Sequence, residues 1–575
     1  VTSDTATDAD RAEEEAAGQP RRWQRRLRRF GYAGQPQADA RERLVPAFPE
    51  PGTRVWTVLG LGPAAAGRLA RWSGWGGPLL VALFAGLLRF WNLGSPAKVI
   101  FDETYYPKDA WSLLQYGYEG TWAKNANDAL VAHPPEILLS PEHSYVVHPP
   151  LGKWMIALGE WVFGMNPFGW RFMVALLGTL SVLMICRIGR RLLRSTALGC
   201  LAGVLLAVDG LHFVMSRTAL LDLIVMFWVV AAFGCLLVDR DRTRARLAAA
   251  LPVGTDGLAR PDEQVGDRMR LGWRPWRLAA GLCLGLSAAS KWNGLYFLAA
   301  FAVLAVLWDV AARRTAGARH PVRAVLRRDM VPAFVSTVVV GLAAYLVTWT
   351  GWIVTKGGYY RDWATATPEG RAGGWQWLPD WLRSLWHYET EVYDFHKGLS
   401  TPHTYQSNPW SWLVQGRPVS YFYEDPKMGH DGCKAAEGCA REVLALGTPL
   451  LWWAGCFAIL YVLYRWLFRR DWRAGAVACG IAAGYLPWFL YQDRTIFLFY
   501  AVVFVPFVCL ALAMMTGAIL GPPGSGERRR AVGAVGAGVL VLLIIWNFIY
   551  FYPLYTGQPI PKSAWHNRMW FDTWV

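Results

Sequence analysis

The chain reads as an all-α protein that crosses a membrane many times, and three observations predict that class. Apolar residues make up 54% of the sequence and charged residues only 17%. About eleven apolar runs are candidate spans, most of them roughly 18–23 residues long as a bilayer requires, with the fifth shorter and running close to the sixth. Arginine clusters punctuate alternate connections between those runs, as the positive-inside rule requires of one face.

In order, the expected spans cover 76–95, 169–189, 194–211, 218–238, 276–290, 292–312, 331–353, 447–468, 472–490, 495–518 and 531–553. The clusters are Arg187/Arg190/Arg191/Arg194, Arg240/Arg242/Arg244/Arg246, Arg313/Arg314/Arg327/Arg328, Arg469/Arg470/Arg473 and Arg528/Arg529/Arg530. With the basic N-terminus in the cytoplasm, every cluster lands on the same side. Residues 1–74, with the basic run Arg21–Phe30, then form a cytoplasmic and largely disordered tail. Residues 75–575 form one membrane domain. Its outer parts are a loop over 96–168, a loop over 354–446 and a C-terminal tail over 554–575. Amphipathic helices lying on the membrane are expected in both loops, among them Trp154–Phe163, which is too short to span.

The net charge of +16 invites a nucleic-acid reading, but the arginines sit between apolar runs instead of forming one face, so no nucleic-acid partner is expected. The 33 tryptophans suit membrane–water interfaces. Seven of the nine cysteines fall in apolar segments and read as small apolar residues. Cys433 and Cys439 share a polar outer loop, where a disulfide is the leading reading and a metal site with His430 the weaker one. No set of His, Asp and Cys stands at convincing metal-ligand spacing, so neither metal nor cofactor is expected.

Charges inside or beside apolar spans cost about 2.5–3.5 kcal/mol each on insertion scales and mark functional positions. Here they are Arg89, Arg171, Asp209, His212, Arg217, Asp222, Lys291 and Arg494. In the threading above all lie near the outer boundary, where the stretch Val99–Tyr106 carries adjacent carboxylates, Asp102 and Glu103. Neighbouring residues point in different directions, so these two are expected to face different groups instead of sharing a proton. A mixed acid–base cluster on one face suits a substrate with its own anionic group.

Four motifs stand in order and register along this chain: Phe101-Asp102-Glu103, His148-Pro149-Pro150-Leu151-Gly152-Lys153, Ser216-Arg217-Thr218-Ala219-Leu220-Leu221-Asp222 and Ser290-Lys291-Trp292-Asn293-Gly294-Leu295. Together they resemble the protein O-mannosyltransferase family over about residues 76–575, and Pro409-Trp410-Ser411-Trp412 and Leu446–Trp453 resemble its bacterial branch. The resemblance implies a GT-C fold and inverting transfer of mannose from polyprenyl-phosphate-mannose to Ser or Thr hydroxyls of secreted or membrane proteins, at the outer face of the plasma membrane. Membrane lipid and the secretion translocon are the further partners it implies. Eukaryotic members insert a β-trefoil module between the seventh and eighth spans, and the interval here is too short for one.

Such chemistry needs a base for the hydroxyl proton, which Asp102 would supply already ionised at its ordinary pKa. Glu103 would orient the acceptor or hold neighbouring basic groups. Arg171, Lys291, Arg494 and Lys153 are the candidates for the donor phosphate, because fixed cations stabilise its developing charge. Arg89 would brace the Asp102 loop, and Asp222 would orient Arg217 or another cation. His148 would contact sugar or peptide or hold a structural place beside Pro149. The rival readings are a GT-C transferase for another lipid-phosphate sugar or a glycolipid acceptor, and a lipid-linked sugar transporter. A transporter places its polar groups near the midplane within repeated halves, and neither feature is visible here.

Overall fold

A computed structural model describes residues 39–48, 62–132, 134–521 and 525–575. Helices occupy all eleven expected spans, and seven of them are long and apolar enough to cross a membrane. In chain order, with the helices between them, the main elements are α1 (Pro63–Phe90), α2 (Tyr106–Tyr116), α3 (Leu151–Phe163), α4 (Pro167–Leu193), α5 (Thr196–Ala207), α6 (Gly210–Met215) and α7 (Leu221–Ala250). They continue with α8 (Pro275–Ser290), α9 (Gly294–Ala316), α10 (Met330–Thr348), α11 (Asp380–Gly398), α12 (Pro449–Leu467), α13 (Trp472–Tyr485), α14 (Val505–Leu520) and α15 (Glu527–Thr556).

The four spans that fall short are α5, α8, α13 and α14, of 12, 16, 14 and 16 residues. Sixteen residues rise about 24 Å, less than the ~30 Å hydrocarbon core. The reasons are local. The Asp209 side chain accepts from the His212 amide at 2.9 Å and opens α6, so the apolar run stops at Ala207. Pro487 and Pro506 divert the chain into 3₁₀ turns after α13 and before α14.

The expected tail divides. Its basic run Arg21–Phe30 lies outside the described residues. The short helix Ala40–Leu44 is docked, however: Ala40 and Leu44 are buried against Leu247, Ala248 and Leu251 near the end of α7, and Arg244 binds the Leu44 carbonyl at 2.8 Å. The first helix starts at Pro63, inside the expected tail, and stops at Phe90, short of residue 95.

Packing follows small residues. α8 lies against α7 on one side and α10 on the other. A Cβ at Gly281 or Gly285 would collide with the backbone of Ser336 or Gly341, so the Gly281–Gly285 spacing is what lets α8 and α10 touch. At Ser336 the backbone of α10 takes one π turn, Val335–Val339.

Two sheets depart from the all-helical expectation. In the first of the two long loops, β1 (Gly120–Trp122) pairs antiparallel with β2 (Leu139–His143). In the second, β3 (Val419–Glu424) pairs antiparallel with β4 (Cys439–Ala445), and β4 pairs with β5 (Ile560–Pro561), tying the C-terminal segment to the loop. The stretch Val419-Ser420-Tyr421-Phe422-Tyr423-Glu424 is rich in β-formers, a strand signal that the expectation of surface helices overlooks. A disulfide joins Cys433 to Cys439, the first residue of β4, with Cα atoms 5.6 Å apart. The interfacial α3 spans Leu151–Phe163 with Leu158, Trp161, Val162 and Phe163 exposed, while Lys153 and Glu160 point inward.

Candidate active site

The first helix ends where a guanidinium collects its last carbonyls. Arg217 donates to Arg89 O and Trp91 O, each at 2.7 Å, and to Asn92 O at 2.9 Å. The chain then turns through the 3₁₀ segment Phe101–Thr104. Phe101 adopts φ +47°, a left-handed conformation that costs a bulky residue roughly 1–3 kcal/mol and is held only by its surroundings. Its ring is stacked on Tyr421 of β3 at 4.4 Å and meets the Phe499 edge at 5.6 Å.

That turn separates the two carboxylates. Glu103 is fully buried and saturated. Its Oε1 accepts from Arg171 Nε at 2.8 Å and from the Ala219 amide at 3.1 Å, and its Oε2 from Arg171 Nη2 at 2.8 Å and the Ile100 amide at 3.2 Å. The remaining Arg171 donors go to the carbonyls of Leu93, Pro96 and Lys98. Arg171 is itself fully buried. Two expectations change accordingly. Glu103 does not reach a substrate, because its oxygens are spent on the scaffold. Arg171 has no donor left for a phosphate, because it clamps the loop that carries Asp102.

Asp102 differs in every respect. It is half-buried, and among the described residues no hydrogen bond reaches its carboxylate. Burial pushes its pKa up to about 6, with the Lys291 charge pulling down and the Asp222 charge pushing up. The expectation of an ordinary carboxylate is therefore corrected: the group titrates within reach of neutral pH. Asp222, in the first turn of α7, holds Lys291 at the α8–α9 turn, with Nζ 3.0 and 2.9 Å from its two oxygens. The same ammonium sits 4.4 Å from the Tyr500 ring centroid. Burial lowers the Lys291 pKa, but Asp222 and Tyr500 outweigh it and the net direction is upward, so the group stays charged. Of the alternatives for Asp222, the cation it orients is Lys291 and not Arg217.

Arg494 approaches from the far side. Its Nη2 meets His396 Nδ1 of α11 at 3.0 Å, and His396 Nε2 donates to Val147 O at 2.9 Å. Arg494 Nε is buried without a partner among the described residues. The ring of His148 stacks on His396 at 5.2 Å and lies 6.1 Å from Tyr106. Burial and the surrounding cations, Lys291 first, drive the His148 pKa well down, and burial and Arg494 bring His396 to about 4, so both imidazoles are neutral. Lys153 does not join this group: it is buried, ion-paired with Glu119, and donates to the His148 carbonyl at 2.9 Å. Arg89 lies deeper than expected, on His212 Nδ1 at 2.8 Å and the Ala85 carbonyl at 3.1 Å, and braces the α5–α6 junction, not the Asp102 loop.

The cluster is therefore Asp102, Asp222, Lys291, Arg494 and His148, walled by Tyr106, Tyr421, Tyr500 and His396. Sequence reasoning missed the last four. Tyr421 carried a signal in its strand pattern; His396 reaches the site only because α11 folds back over the first loop, where Tyr388 Oη bonds Val146 O at 2.9 Å. Among the described residues no group of three or more His, Cys, Asp or Glu side chains is arranged to hold a metal ion.

The helix bundle, with an acid–base cluster at one end beneath two folded loops, has the fold of the membrane glycosyltransferases of the GT-C class. The fold matches that of the Saccharomyces cerevisiae protein O-mannosyltransferase Pmt1–Pmt2 complex bound to the sugar donor, with a TM-score of 0.63 over 87% of this chain and 92% of that one, at 14% identity. Residues 79–319 match the family model of dolichyl-phosphate-mannose-protein mannosyltransferase, and residues 381–574 that of the C-terminal four-span region of protein O-mannosyltransferase. The polyprenol-phosphate-mannose–protein mannosyltransferase of Mycobacterium tuberculosis is 39% identical over 93% of this chain and 99% of its own length. That of Mycolicibacterium smegmatis is 39% identical over 89% and 95%, and that of Corynebacterium glutamicum 34% identical over 86% and 92%. The chain belongs to the protein O-mannosyltransferase family.

Proposed function

We propose that the chain transfers mannose, with inversion, from polyprenyl-phosphate-mannose to Ser or Thr hydroxyls of exported proteins at the outer face of the plasma membrane. The observation that carries this reading is the contrast between neighbours: Glu103 is consumed by Arg171, while among the described residues no hydrogen bond reaches the Asp102 carboxylate. The acceptor oxygen attacks the anomeric carbon, Asp102 takes the hydroxyl proton, and the phosphate leaves on its lipid with the bonding electrons. A base that titrates near 6 is mostly ionised at neutral pH yet basic enough to accept a proton in the transition state. Lys291 and Arg494 provide the positive charge against which the departing phosphate settles, a role for which no metal is required. His148 and His396, neutral and polar, suit the sugar hydroxyls.

The test is transfer in a purified system. The full chain, reconstituted with synthetic β-linked polyprenyl-phosphate-mannose and a Ser/Thr peptide, is expected to place α-linked mannose on the peptide, the anomer opposite to that of the donor. Mannose on a glycolipid instead, or no transfer with another lipid-phosphate sugar preferred, rejects the proposal in favour of a different GT-C transferase.

A further inference from the structure

The end of the bundle away from Asp102 carries a cavity of about 900 Å³, lined by eleven arginines and two aspartates. Its distance from the active site follows from the helices that reach both. Arg171 and Arg187 on α4 are sixteen residues apart, and Asp222 and Arg240 on α7 are eighteen, so about 24–27 Å separates the two ends. That is close to the ~30 Å hydrocarbon thickness of a bilayer. The cavity therefore sits at the level of the opposite leaflet.

The protein does not neutralise this cavity from its own described residues. Asp241 already bridges Arg191 at 2.5 Å and Arg240 at 3.1 Å, and Asp471 bridges Arg465 at 2.6 Å and Arg473 at 2.9 Å. Other guanidiniums turn to carbonyls and ring faces: Arg194 to Pro46 O at 2.9 Å, Arg244 to Leu44 O at 2.8 Å, Arg190 to the Phe48 ring at 4.6 Å and Arg240 to the Trp472 ring at 3.3 Å. Arginine forks gathered from several elements match phosphate oxygens. Leu192, Phe48, Trp308 and Trp472 line the same space, which suits an amphiphile better than a free ion.

We infer that this cavity binds an anionic lipid through a headgroup carrying two phosphates, at the leaflet opposite the catalytic face. Bound there, the lipid pins the docked Ala40–Leu44 segment and the ends of α4, α7 and α12 together. The inference stands independently of the transfer reaction, since none of these arginines belongs to the Asp102 cluster.

The experiment measures binding of fluorescent cardiolipin and fluorescent phosphatidylcholine to the delipidated full chain in detergent, with inorganic pyrophosphate as soluble competitor. Cardiolipin is expected to saturate one site and pyrophosphate to displace it poorly. Arg191→Gln with Arg470→Gln, both exposed at the cavity rim, should weaken cardiolipin about thirtyfold, at about fivefold per arginine. Arg194→Gln alone should cost about fivefold, so the site remains testable if the double variant folds poorly. Arg319→Gln with Arg323→Gln, exposed but outside the cavity, should change nothing. Equal affinity for the two lipids, or equal losses in the cavity and control variants, overturns the site. Pyrophosphate that binds tightly and displaces cardiolipin overturns the lipid as its occupant.

Discussion

Lys291 Nζ lies 2.9 and 3.0 Å from the two carboxylate oxygens of Asp222, so the cation whose charge acts on the Asp102 carboxylate is itself held by a second carboxylate. The two residues come from the third and fourth motifs of the sequence, on α7 and the α8–α9 turn. Their pairing keeps the ammonium charged and fixed without supplying all of its three donors.

Loss of that cation should show at the departing phosphate. Lys291→Gln is expected to lower kcat for transfer by roughly a hundredfold or more, the scale for removing one fixed electrostatic contact to developing charge. Single-turnover transfer at saturating donor measures it. A change confined to the KM for the peptide would remove Lys291 from the donor side.

Asp102→Asn keeps size and shape while abolishing the base. Transfer should fall by roughly 10²–10⁴-fold with the thermal midpoint no lower than that of the wild type, because no described hydrogen bond to the carboxylate is lost and a charge that burial disfavours is removed. Purified Asp102→Asn that worked at the wild-type rate would end the catalytic assignment.

Glu103 and Arg171, unlike Asp102, should show their loss in stability. Both are fully buried, so Arg171→Met leaves an uncompensated carboxylate, and Glu103→Gln an uncompensated guanidinium. Each is expected to cost about 3–5 kcal/mol of stability. Glu103→Gln combined with Arg171→Met should cost less than the sum, since neither charge is then stranded. Thermal unfolding in detergent checks the cycle; strict additivity would mean the pair is not coupled.

The charge at the donor phosphate is assigned to Lys291 and Arg494, so chelation should not matter. Transfer after treatment with EDTA is expected to stay at its untreated rate. Activity abolished by the chelator and restored by Mn²⁺ would require a metal among the substrates' contacts.

The positions of the helices and the convergence of charge on one face were legible because both are properties of the apolar pattern. Charged residues at the starts of α4 and α7 and at the α8–α9 turn could be placed at one end by threading alone. Which of them were free was not legible. Arg171 and Lys291 look alike in sequence, one cation beside an apolar run each. The difference lies in which carboxylate reaches each one. Glu103 spends Arg171 entirely, whereas Asp222 leaves Lys291 facing Asp102. That outcome depends on the left-handed turn at Phe101, which is stabilised by stacking on Tyr421, about 320 residues away in β3. A long-range contact of that kind leaves no local mark, just as the docking of α11 that brings His396 to His148 leaves none.

The pH dependence of transfer should carry the signature of this arrangement. A general base works when ionised, so kcat/KM should rise as pH increases through about 6 and level off above it. His148 and His396 are held low by burial and neighbouring cations, so neither should contribute a limb near 6. Lys291 pulls the Asp102 pKa down, and its removal in Lys291→Gln should shift the acid limb to higher pH. Asp222 pushes the Asp102 pKa up, so Asp222→Asn should shift the limb to lower pH, though with a less firmly held Lys291. The two opposite displacements, read from pH–rate profiles of the residual activity, distinguish a base tuned by its neighbours from a limb set by substrate ionisation. A limb that stays at the same pH in both variants would place the titrating group somewhere other than Asp102.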